Sequence, residues 1–431
     1  MAPSNDITEI MKMGFVFNHI EDVEMLERYR PGGFHPVAIG DSFCNGRYQV
    51  IHKLGFGGHS TVWLARDTSR QCYAALKICM AEAAKDNEFK VMQLLSTSSM
   101  EGKSLFRPVQ DRFEITGPNG THLCLVNDPE MMTLKDAKEP SISGFFQLPV
   151  ARALAAQAVQ AVDHLHRNGV VHGDLHVGNV LLPLPELVGH LTPSQIYQQY
   201  GEPWKIPITR LDCEPLSDNV PQEAVMPIWL GKPSEDVKMN EARIILHDFG
   251  ESYMPSVETR RHSNAPLSYR PPEGHFPNCG EPFSYSTDIW SLGCLIWEIL
   301  GQCPIFNSFF ASADRVLDDH VNLLGKLPPD WWSIWEARDQ YWLEDGDTIR
   351  FAATRHPDHE VWSWERRLEL CIQEGRREKQ LELLVEEEKE DFLAMMKTMV
   401  VLEPTKRASS GDILKSRWMK RWALPELDGL A

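Results

Sequence analysis

The strongest chemical signal in the chain is a loop that carries one carboxylate and one carboxamide. Residues His172–Asn179 read HGDLHVGN and follow directly after a long helical pattern. Phosphoryl transfer needs a carboxylate that accepts and orients the attacking hydroxyl group, and a ligand for the metal ion that bridges the phosphates. Asp174 suits the first task, and Asn179, on the same loop, suits the second. We therefore interpret this segment as a catalytic loop for phosphoryl transfer.

A second acidic residue stands at the end of a short apolar run. Residues Ile244–Leu246 have the composition of a buried strand, and Asp248 follows them in an Asp-Phe-Gly tripeptide. A carboxylate is a suitable oxygen ligand for Mg²⁺. The tripeptide alone is weak evidence, but it lies after the catalytic loop and before the Pro-Pro-Glu run at 271–273. In that order, we expect Asp248 to be a metal ligand.

A glycine-rich stretch precedes both of these motifs. Residues Leu54–Val62 read LGFGGHSTV and lie between two predicted strands. Glycines let the backbone approach phosphates closely and direct its N–H groups at them, although hairpins also carry glycines for turn geometry alone. The strand that follows contains Lys77, which is placed to reach the phosphates of a nucleotide. We therefore interpret this stretch as a phosphate-binding loop.

A buried lysine needs a carboxylate that holds it in place. Glu88 lies in a predicted helix shortly after Lys77, and Glu82 is the competing candidate. We expect Glu88 to be the partner because it lies within the helix.

Predicted strands and helices divide the chain into two regions of different character. Before Pro129, strand patterns separated by turn glycines accompany one helical pattern, which predicts a small, mainly β lobe. After Pro129 the patterns are mainly helical. We predict strands over Tyr48–Leu54, Thr61–Arg66, Cys72–Ile78, Arg107–Ile115 and His122–Val126, and helices over Asn87–Leu95, Val150–Arg167 and Tyr285–Leu300.

Three further segments lie outside this core pattern. Residues 1–46 form an extension with a predicted short helix, Ile20–Arg28. Residues 185–240 are rich in Pro, Gly and polar residues and are predicted to be an insertion. An acidic helix is predicted over Arg376–Thr398, with Glu386–Glu390 on a solvated face.

Two sets of residues in the C-terminal half are predicted to be architectural. Asp288 lies near the start of the predicted helix Tyr285–Leu300 and is expected to bind the backbone of the catalytic loop. Arg407 is expected to pair with Glu273. A buried ion pair of this kind fixes geometry more than it adds stability.

Composition restricts the classes of partner. The chain has 431 residues and a net charge of −18, with 43 basic and 61 acidic residues. Direct binding of nucleic acid is not expected, because contacts with the phosphate backbone need an excess of Lys and Arg. The nine scattered Cys residues include no CxxC pair. We therefore expect the chain to have neither a zinc site nor a disulfide framework. No apolar run is long enough for a membrane span. We expect a monomer in the cytoplasm, with the nucleus as a second compartment.

Taken in order, these motifs resemble the signature set of the eukaryotic protein kinases over residues 46–422. A narrower resemblance is to the SR-protein kinases, in the run Tyr29–Val37 (YRPGGFHPV) and in Ser60–Leu64 (STVWL). The insertion and the run Asp248–Ser252 (DFGES) resemble the fungal branch of that family. The resemblance implies an α+β, bilobal protein-kinase fold. It consists of the extension 1–46, a mainly β N-lobe at 47–128, and a mainly α C-lobe at 129–425 with the insertion at about 185–240.

The resemblance also implies ATP and Mg²⁺ as cofactors and serine in Arg-Ser-rich segments of splicing-related proteins as the substrate. Val62 and Ala75 are expected to pack against adenine, and the hinge is expected to run through Asn127 and Asp128. The catalytic residues implied are Asp174, Lys77 and His176. The nucleotide-binding residues implied are Gly55, Gly57, Gly58, Ser60, Val62, Ala75, Lys77, Glu88 and Asp128, and the metal ligands implied are Asn179 and Asp248.

The sequence departs from the family pattern at several positions. Ser60 replaces the third glycine of the loop, and Gly173 replaces the Arg that receives a phosphorylated activation loop in many kinases. Activity without loop phosphorylation is therefore expected. His176 stands where most protein kinases have a Lys, and Pro266 stands where the Thr partner of that Lys is expected. In the SR-protein kinases an acidic groove docks the Arg-rich peptide, and the acidic residues near its expected position here are Asp314, Asp318 and Asp319. Arg315 and Asn322, however, occupy positions that are acidic in the family.

Two alternative functions remain open on sequence grounds. A catalytic loop with His at position 176 also resembles that of the aminoglycoside and choline phosphotransferases, which act on small molecules. Glu273, Asp288 and Arg407 favour a protein kinase instead. A pseudokinase scaffold is the other alternative, and the presence of both Lys77 and Asp174 argues against it.

Overall fold

The computed structural model describes residues 14–83, 87–97, 102–306, 312–349 and 362–430. These residues fall into two compact units. The first unit contains the described residues within Met1–Phe89, Arg107–Met131 and Pro183–Leu230. The second contains those within Lys90–Phe106, Met132–Leu182 and Gly231–Ala431. The first unit is built on a β-sheet and the second is mainly helical, which confirms the predicted fold class.

The first unit contains a six-stranded antiparallel sheet in the order β1-β2-β3-β4-β6-β5. Buried side chains on alternate strand positions, among them Trp63, Leu76 and Cys124, form its core. The strand predicted to begin at Arg107 begins at Asp111. Pro108, inside the predicted range, lacks the N–H that a strand ladder needs. The strands are β1 (Ser42–Phe43), β2 (Tyr48–Phe56), β3 (Ser60–Asp67), β4 (Cys72–Cys79), β5 (Asp111–Gly117) and β6 (Gly120–Asn127). Helix α1 (Asn87–Thr97) begins in the first unit and continues into the second.

The predicted helix over Ile20–Arg28 is wrong. The structure has a single 3₁₀ turn there, Leu26–Arg28. Asp22 has a φ of 58°, in the left-handed region, and this conformation interrupts a right-handed helix.

Part of the insertion packs against the N-terminal residues. It contains α4 (Glu186–Gly189), α5 (Pro193–Tyr200), β9 (Lys205–Pro207) and β10 (Glu223–Val225). Most of it, within Pro183–Leu230, lies in the first unit. The reason is an apolar cluster in which side chains from both parts of the chain bury one another. That cluster contains Phe17, Leu26, Tyr29, Phe34, Met80, Ile208, Val220 and Ala224.

Two long helices form the centre of the second unit. In α3 (Leu148–Arg167) nearly every residue is buried, and α6 (Tyr285–Leu300) is almost as fully enclosed. The short strands β8 (Val180–Pro183) and β11 (Ile245–Leu246) pair antiparallel, with Leu246 opposite Val180. The chain passes from the first unit to the second within β7 (Glu130–Thr133). The remaining helices are α2 (Leu134–Lys138), α7 (Ala313–Leu324), α8 (Pro329–Ile334), α9 (Arg338–Tyr341), α10 (Trp364–Leu368), α11 (Gly375–Glu378), α12 (Glu386–Met399) and α13 (Ser410–Leu414).

The predicted acidic helix over Arg376–Thr398 is two helices, α11 and α12. Gln380, between them, has a φ of 56°. The sequence also predicted a solvated face for Glu386–Glu390, but one of these glutamates is buried. Glu388 is fully buried, and Arg152 compensates its charge by donating to its two carboxylate oxygens at 2.9 and 2.6 Å. Among the described residues, no helix is long and apolar enough to span a bilayer.

Candidate active site

The glycine-rich loop (Gly55–Ser60) joins β2 to β3 in the first unit. Its turn is closed by a hydrogen bond of 2.9 Å from the Gly57 N–H to the Ser60 carbonyl. Among the described residues, no heavy atom lies within 4 Å of a Cβ added to Gly55 or Gly57, and neither residue has a left-handed φ. The fold itself therefore does not require glycine at these two positions. The open space above the backbone fits a ligand that approaches closely, as phosphates do.

Strand register places the predicted nucleotide-binding side chains on one face of the sheet. Val62 of β3 lies opposite Lys77 of β4, and Leu64 lies opposite Ala75. Directly opposed residues, and residues two apart on one strand, point to the same face. Val62, Ala75 and Lys77 are thus brought together as the sequence predicted. Ser60 is buried at the first position of β3.

Lys77 forms a two-armed ion pair with Glu88. Its Nζ lies 2.8 Å from each carboxylate oxygen, and about 8% of each side chain is exposed. Glu82, the competing candidate, instead binds the exposed guanidinium of Arg30 at 3.0 Å. The predicted choice of Glu88 over Glu82 is confirmed.

Two acidic residues follow β6, and the sequence analysis noted only the first. Asp128 accepts a hydrogen bond from the side chain of Gln110. The Glu130 side chain is 8% exposed and binds Arg107 at 2.9 Å. Burial raises the pKa of Glu130 to about 7, although Arg107 acts in the opposite direction. The run of two acids spaced by a proline was visible in the sequence, but nothing in it indicated the burial of Glu130.

In the second unit, Asp174 and Asn179 form one cluster. The Asn179 Nδ2 donates to the Asp174 backbone carbonyl at 2.8 Å and to its Oδ2 at 3.2 Å. The Asp174 Oδ1 is buried and has no hydrogen-bond partner in the described part of the chain. A buried carboxylate oxygen without a donor suits a group that accepts a proton from a bound hydroxyl. The structure thus brings together the two residues from which the sequence interpretation started.

The backbone of the catalytic loop is held from below by Asp288. Its carboxylate accepts from the His172 N–H at 2.7 Å and from the Gly173 N–H at 2.9 Å. The side chain is 1% exposed, so these charge-assisted bonds lie in a low-dielectric environment. The predicted role of Asp288 is confirmed.

His176 points a ring N–H toward the catalytic carboxylate. The Gly178 N–H donates to Nδ1 at 3.0 Å, so the ring proton resides on Nε2. Nε2 lies 3.6 Å from the Asp174 Oδ2, which is too long for a hydrogen bond. The Nε2–H is thus directed into the site. It is a donor in the place where most protein kinases have a Lys.

Asp248 follows β11 in a strained conformation. Its φ of 62° is left-handed, which is uncommon for a non-glycine residue and concentrates at functional sites. The neighbouring His247 connects it to the catalytic loop, because its N–H donates to the Asn179 carbonyl and its carbonyl contacts the His172 Nε2, both at 3.0 Å. The predicted metal ligands Asn179 and Asp248 therefore lie on directly bonded segments.

Behind this site is an aromatic row that the sequence analysis missed. Phe249 is fully buried, with its ring centroid 5.1 Å from His172 and 6.0 Å from Phe106. Phe106 also contacts His164 at 5.3 Å. Phe249 was visible as an apolar residue beside Asp248, but no local pattern indicated its contact with Phe106.

Gly173 is a structural requirement of this chain. It has a φ of +82°, and a Cβ at this position would lie 2.6 Å from the Glu251 carbonyl oxygen. An Arg therefore does not fit here, which explains the departure from the family pattern. Arg260, on the segment after Asp248, binds Glu258 at 2.6 Å and lies 4.8 Å above the Tyr253 ring. Pro266 is exposed, and its carbonyl accepts from the backbone of residues 269 and 270.

The three aspartates considered for a docking groove bind within their own unit. Asp314 accepts from the Trp335 indole at 2.9 Å and Asp318 from the Trp342 indole at 2.8 Å. Asp319 pairs with Arg367. Burial raises the pKa of Asp318 to about 7. These contacts give the three carboxylates structural roles and provide no support for a docking site built from them.

The predicted ion pair between Glu273 and Arg407 is confirmed. The two guanidinium nitrogens lie 2.7 and 2.6 Å from the two carboxylate oxygens, and both side chains are buried. The Arg407 guanidinium also lies 5.1 Å above the Trp290 ring.

Comparison with known proteins gives a consistent result. The family model described as protein kinase domain matches residues 48–187 and 234–419. The unmatched residues between them fall within the segment predicted to be an insertion. Curated relatives include a serine/threonine protein kinase of Aspergillus fumigatus, 26% identical with 92% of this chain and 90% of that protein covered. They also include the serine/threonine-protein kinase SRPK of Physarum polycephalum, 26% identical with 92% and 91% covered. Human SRSF protein kinase 3 is 36% identical over 40% of this chain and 31% of its own length. SR-protein kinases are thus among the homologues of this chain.

Proposed function

This chain belongs to the protein kinase domain family and is a protein serine/threonine kinase, and we propose that it phosphorylates serine in Arg-Ser-rich segments of splicing-related proteins. The observation that carries the proposed phosphoryl transfer is the pair of Asp174 and Asn179. Asp174 offers a buried oxygen without a donor, and Asn179 is bonded to the same carboxylate. The names of the SRPK and SRSF kinase relatives, together with a net charge of −18, support a cationic peptide as the substrate.

ATP and a divalent metal ion are the cofactors that this family uses, and we propose Mg²⁺ as the metal. Bound Mg-ATP supplies the γ-phosphoryl group with its charge partly neutralised. Asn179 and Asp248 offer the oxygen ligands that Mg²⁺ prefers. The open space above Gly55 and Gly57 fits the phosphates.

The chain's own residues perform five tasks in the proposed reaction. Lys77, held by Glu88, places a positive charge on the phosphates. Asp174 orients the serine hydroxyl and accepts its proton at Oδ1. The Nε2–H of His176 donates a hydrogen bond to the transferring group, in place of the usual Lys. Val62 and Ala75 present an apolar surface to adenine, and Asp128 belongs to the proposed hinge.

A radiolabel experiment tests the proposal. The purified chain is incubated with Mg-ATP labelled at the γ-phosphate and with an Arg-Ser repeat peptide, a Lys-Ser repeat peptide, or a panel of aminoglycosides and choline. We expect strong labelling of the Arg-Ser peptide alone. Labelling of the small molecules would overturn the proposal in favour of a small-molecule phosphotransferase. ATP binding without any labelling would identify a pseudokinase.

We further propose that the protein acts as a monomer in the cytoplasm, or also in the nucleus. The support is its composition: a strongly acidic chain with scattered cysteines. Light scattering of the purified protein and fractionation of cells that express it test the two statements.

A further inference from the structure

A segment ahead of the kinase motifs contacts the glycine-rich loop directly. We call residues Glu24–Phe34 the N-terminal segment. The Arg28 guanidinium donates to the carbonyl oxygen of Gly58 and lies 3.9 Å from the Met80 sulfur. Among the described residues, it is also the one group within 4 Å of the place where a Cβ on Gly58 would lie, at 3.9 Å.

The same segment holds the strand that leads into the loop. Lys53, directly before Leu54 of the loop motif, is fully buried and pairs with Glu24, which is 4% exposed. Glu24 also accepts from the Tyr29 hydroxyl. Burial lowers the pKa of Lys53 and raises that of Tyr29. Because a buried charge without a partner is costly, this contact fixes the segment against β2.

A third contact joins the segment to the end of β4, the strand that carries Lys77. The carbonyls of Gly32 and Gly33 accept from the N–H groups of Glu82 at 2.8 Å and Ala81 at 3.2 Å. No side chain fits on Gly33, since a Cβ would lie 1.8 Å from the Arg28 carbonyl. The Met80 N–H donates to the His59 carbonyl at 2.8 Å, so the loop and the end of β4 are themselves bonded.

We propose that the N-terminal segment holds the glycine-rich loop in its ATP-binding conformation, and that Arg28 is the positioning residue. The inference rests on the proposed function. A peptide unit is planar, so the bond from Arg28 to the Gly58 carbonyl also fixes the direction of the His59 N–H on the opposite side. A glycine loop that is free must lose conformational entropy when it binds phosphates, whereas a loop already held loses less.

The proposal predicts an effect on ATP that a general loss of stability would not produce. Arg28→Ala removes one charge-assisted hydrogen bond, so the KM and Kd for Mg-ATP should rise about tenfold. The KM for the peptide should stay unchanged. Hydrogen exchange of the backbone amides in Gly55–Ser60 should become faster. Arg28→Lys retains a cationic donor and should restore most of the ATP affinity.

Lys205→Ala is the matched control. Lys205 is an exposed cation of the same unit that pairs with Glu223 at 3.3 Å, on the strands β9 and β10 of the insertion. Its removal should change neither ATP affinity nor exchange in the loop. Should Arg28→Ala fail to fold, Arg28→Gln provides the same comparison with a smaller change in volume.

Two different failures can be told apart. Equal ATP affinity and equal loop exchange in the Arg28 and Lys205 variants would overturn the positioning role. If the unmodified chain binds Mg-ATP but transfers no phosphate, the proposed function fails. The Kd and exchange measurements on Arg28→Ala still decide the positioning role in that case.

Discussion

Lys77 and Glu88 share a buried ion pair in which one ammonium group lies 2.8 Å from both oxygens of one carboxylate. Each side chain is about 8% exposed. The lysine is therefore fixed in direction by two bonds, while Glu82 is engaged with Arg30 in solvent. The two glutamates therefore differ in function, and their substitution should have different effects on activity.

Lys77→Met and Glu88→Gln should each lower kcat by at least about a hundredfold, because the charge on the phosphates is removed or loses its support. Glu82→Gln is the control and should remain close to the unmodified activity. Steady-state kinetics with the Arg-Ser peptide provide the measurement. Unmodified turnover in Lys77→Met would mean that a different lysine contacts the phosphates.

Asp174→Ala should abolish phosphoryl transfer while ATP binding is retained. The variant lacks the proposed proton acceptor, so transfer is lost. The glycine-rich loop and Lys77, which are proposed to bind the nucleotide, are unaltered. Nucleotide titration and the radiolabel assay on the same preparation separate the two effects. Full activity in this variant would remove Asp174 from the mechanism.

Gly173→Ala should destabilise the fold by about 1–3 kcal/mol, because it combines a left-handed φ with a close contact to the Glu251 carbonyl. Gly189→Ala is a suitable control, since its φ is not left-handed and no described atom lies within 4 Å of the added Cβ. Urea unfolding of both variants provides the measurement. Equal stability of the two variants would contradict the structural reason given for Gly173.

Arg407→Met should cost about 3–5 kcal/mol in the free energy of unfolding, because it leaves the Glu273 carboxylate buried without its partner. The double variant with Glu273→Met should lose less than the sum of the single losses. Lys406→Ala, beside it, removes an exposed pair with Glu403 and should change stability by less than about 0.5 kcal/mol. Additive losses in the double-mutant cycle would show that Glu273 and Arg407 are not coupled.

The buried carboxyl of Asp318 predicts a dependence of stability on pH. Its pKa is raised from 3.8 to about 7 in the folded state, mainly by burial, with Asp319 adding to the effect. The folded protein therefore binds more protons than the unfolded one across this window, and the contribution of Asp318 to stability falls as pH rises. Asp318→Asn keeps an acceptor for Trp342 and removes the carboxyl.

The variant should gain stability relative to the unmodified chain by about 1–2 kcal/mol between pH 5 and pH 8. Unfolding by urea at several pH values tests this, with Glu344→Gln as an exposed control. A constant difference between Asp318→Asn and the unmodified chain over this range would contradict the assignment.

The motifs with local chemistry were predictable from the sequence. Helix α6 has the predicted bounds, and the catalytic loop, Glu88 and Asp288 have the predicted contacts. These features depend on short segments whose periodicity and spacing fix the geometry. The pairing of Glu273 with Arg407, which lie 134 positions apart, was also predicted.

Other features depend on contacts between distant parts of the chain. The short strands β9 and β10 show no periodicity that indicates which surface they cover, so the cluster that the insertion shares with the N-terminal residues was not predicted. The left-handed Asp22 and Gln380 interrupt helices that composition alone favours. The contact between Arg28 and Gly58 could not be predicted from local sequence patterns, because neither residue indicates the other as its partner.

The shared cluster of the N-terminal residues and the insertion has a consequence for the order of synthesis. Asn18 bonds to Thr209, which lies 191 positions later. At the usual rate of 5–20 residues per second, the ribosome adds those residues over roughly 10–40 s. During that time Phe17, Leu26 and Phe34 lack the side chains that later cover them. A nascent chain that stops between Asn127 and Ile208 therefore exposes an apolar surface that chaperones recognise, even though every strand of its six-stranded sheet has already been made.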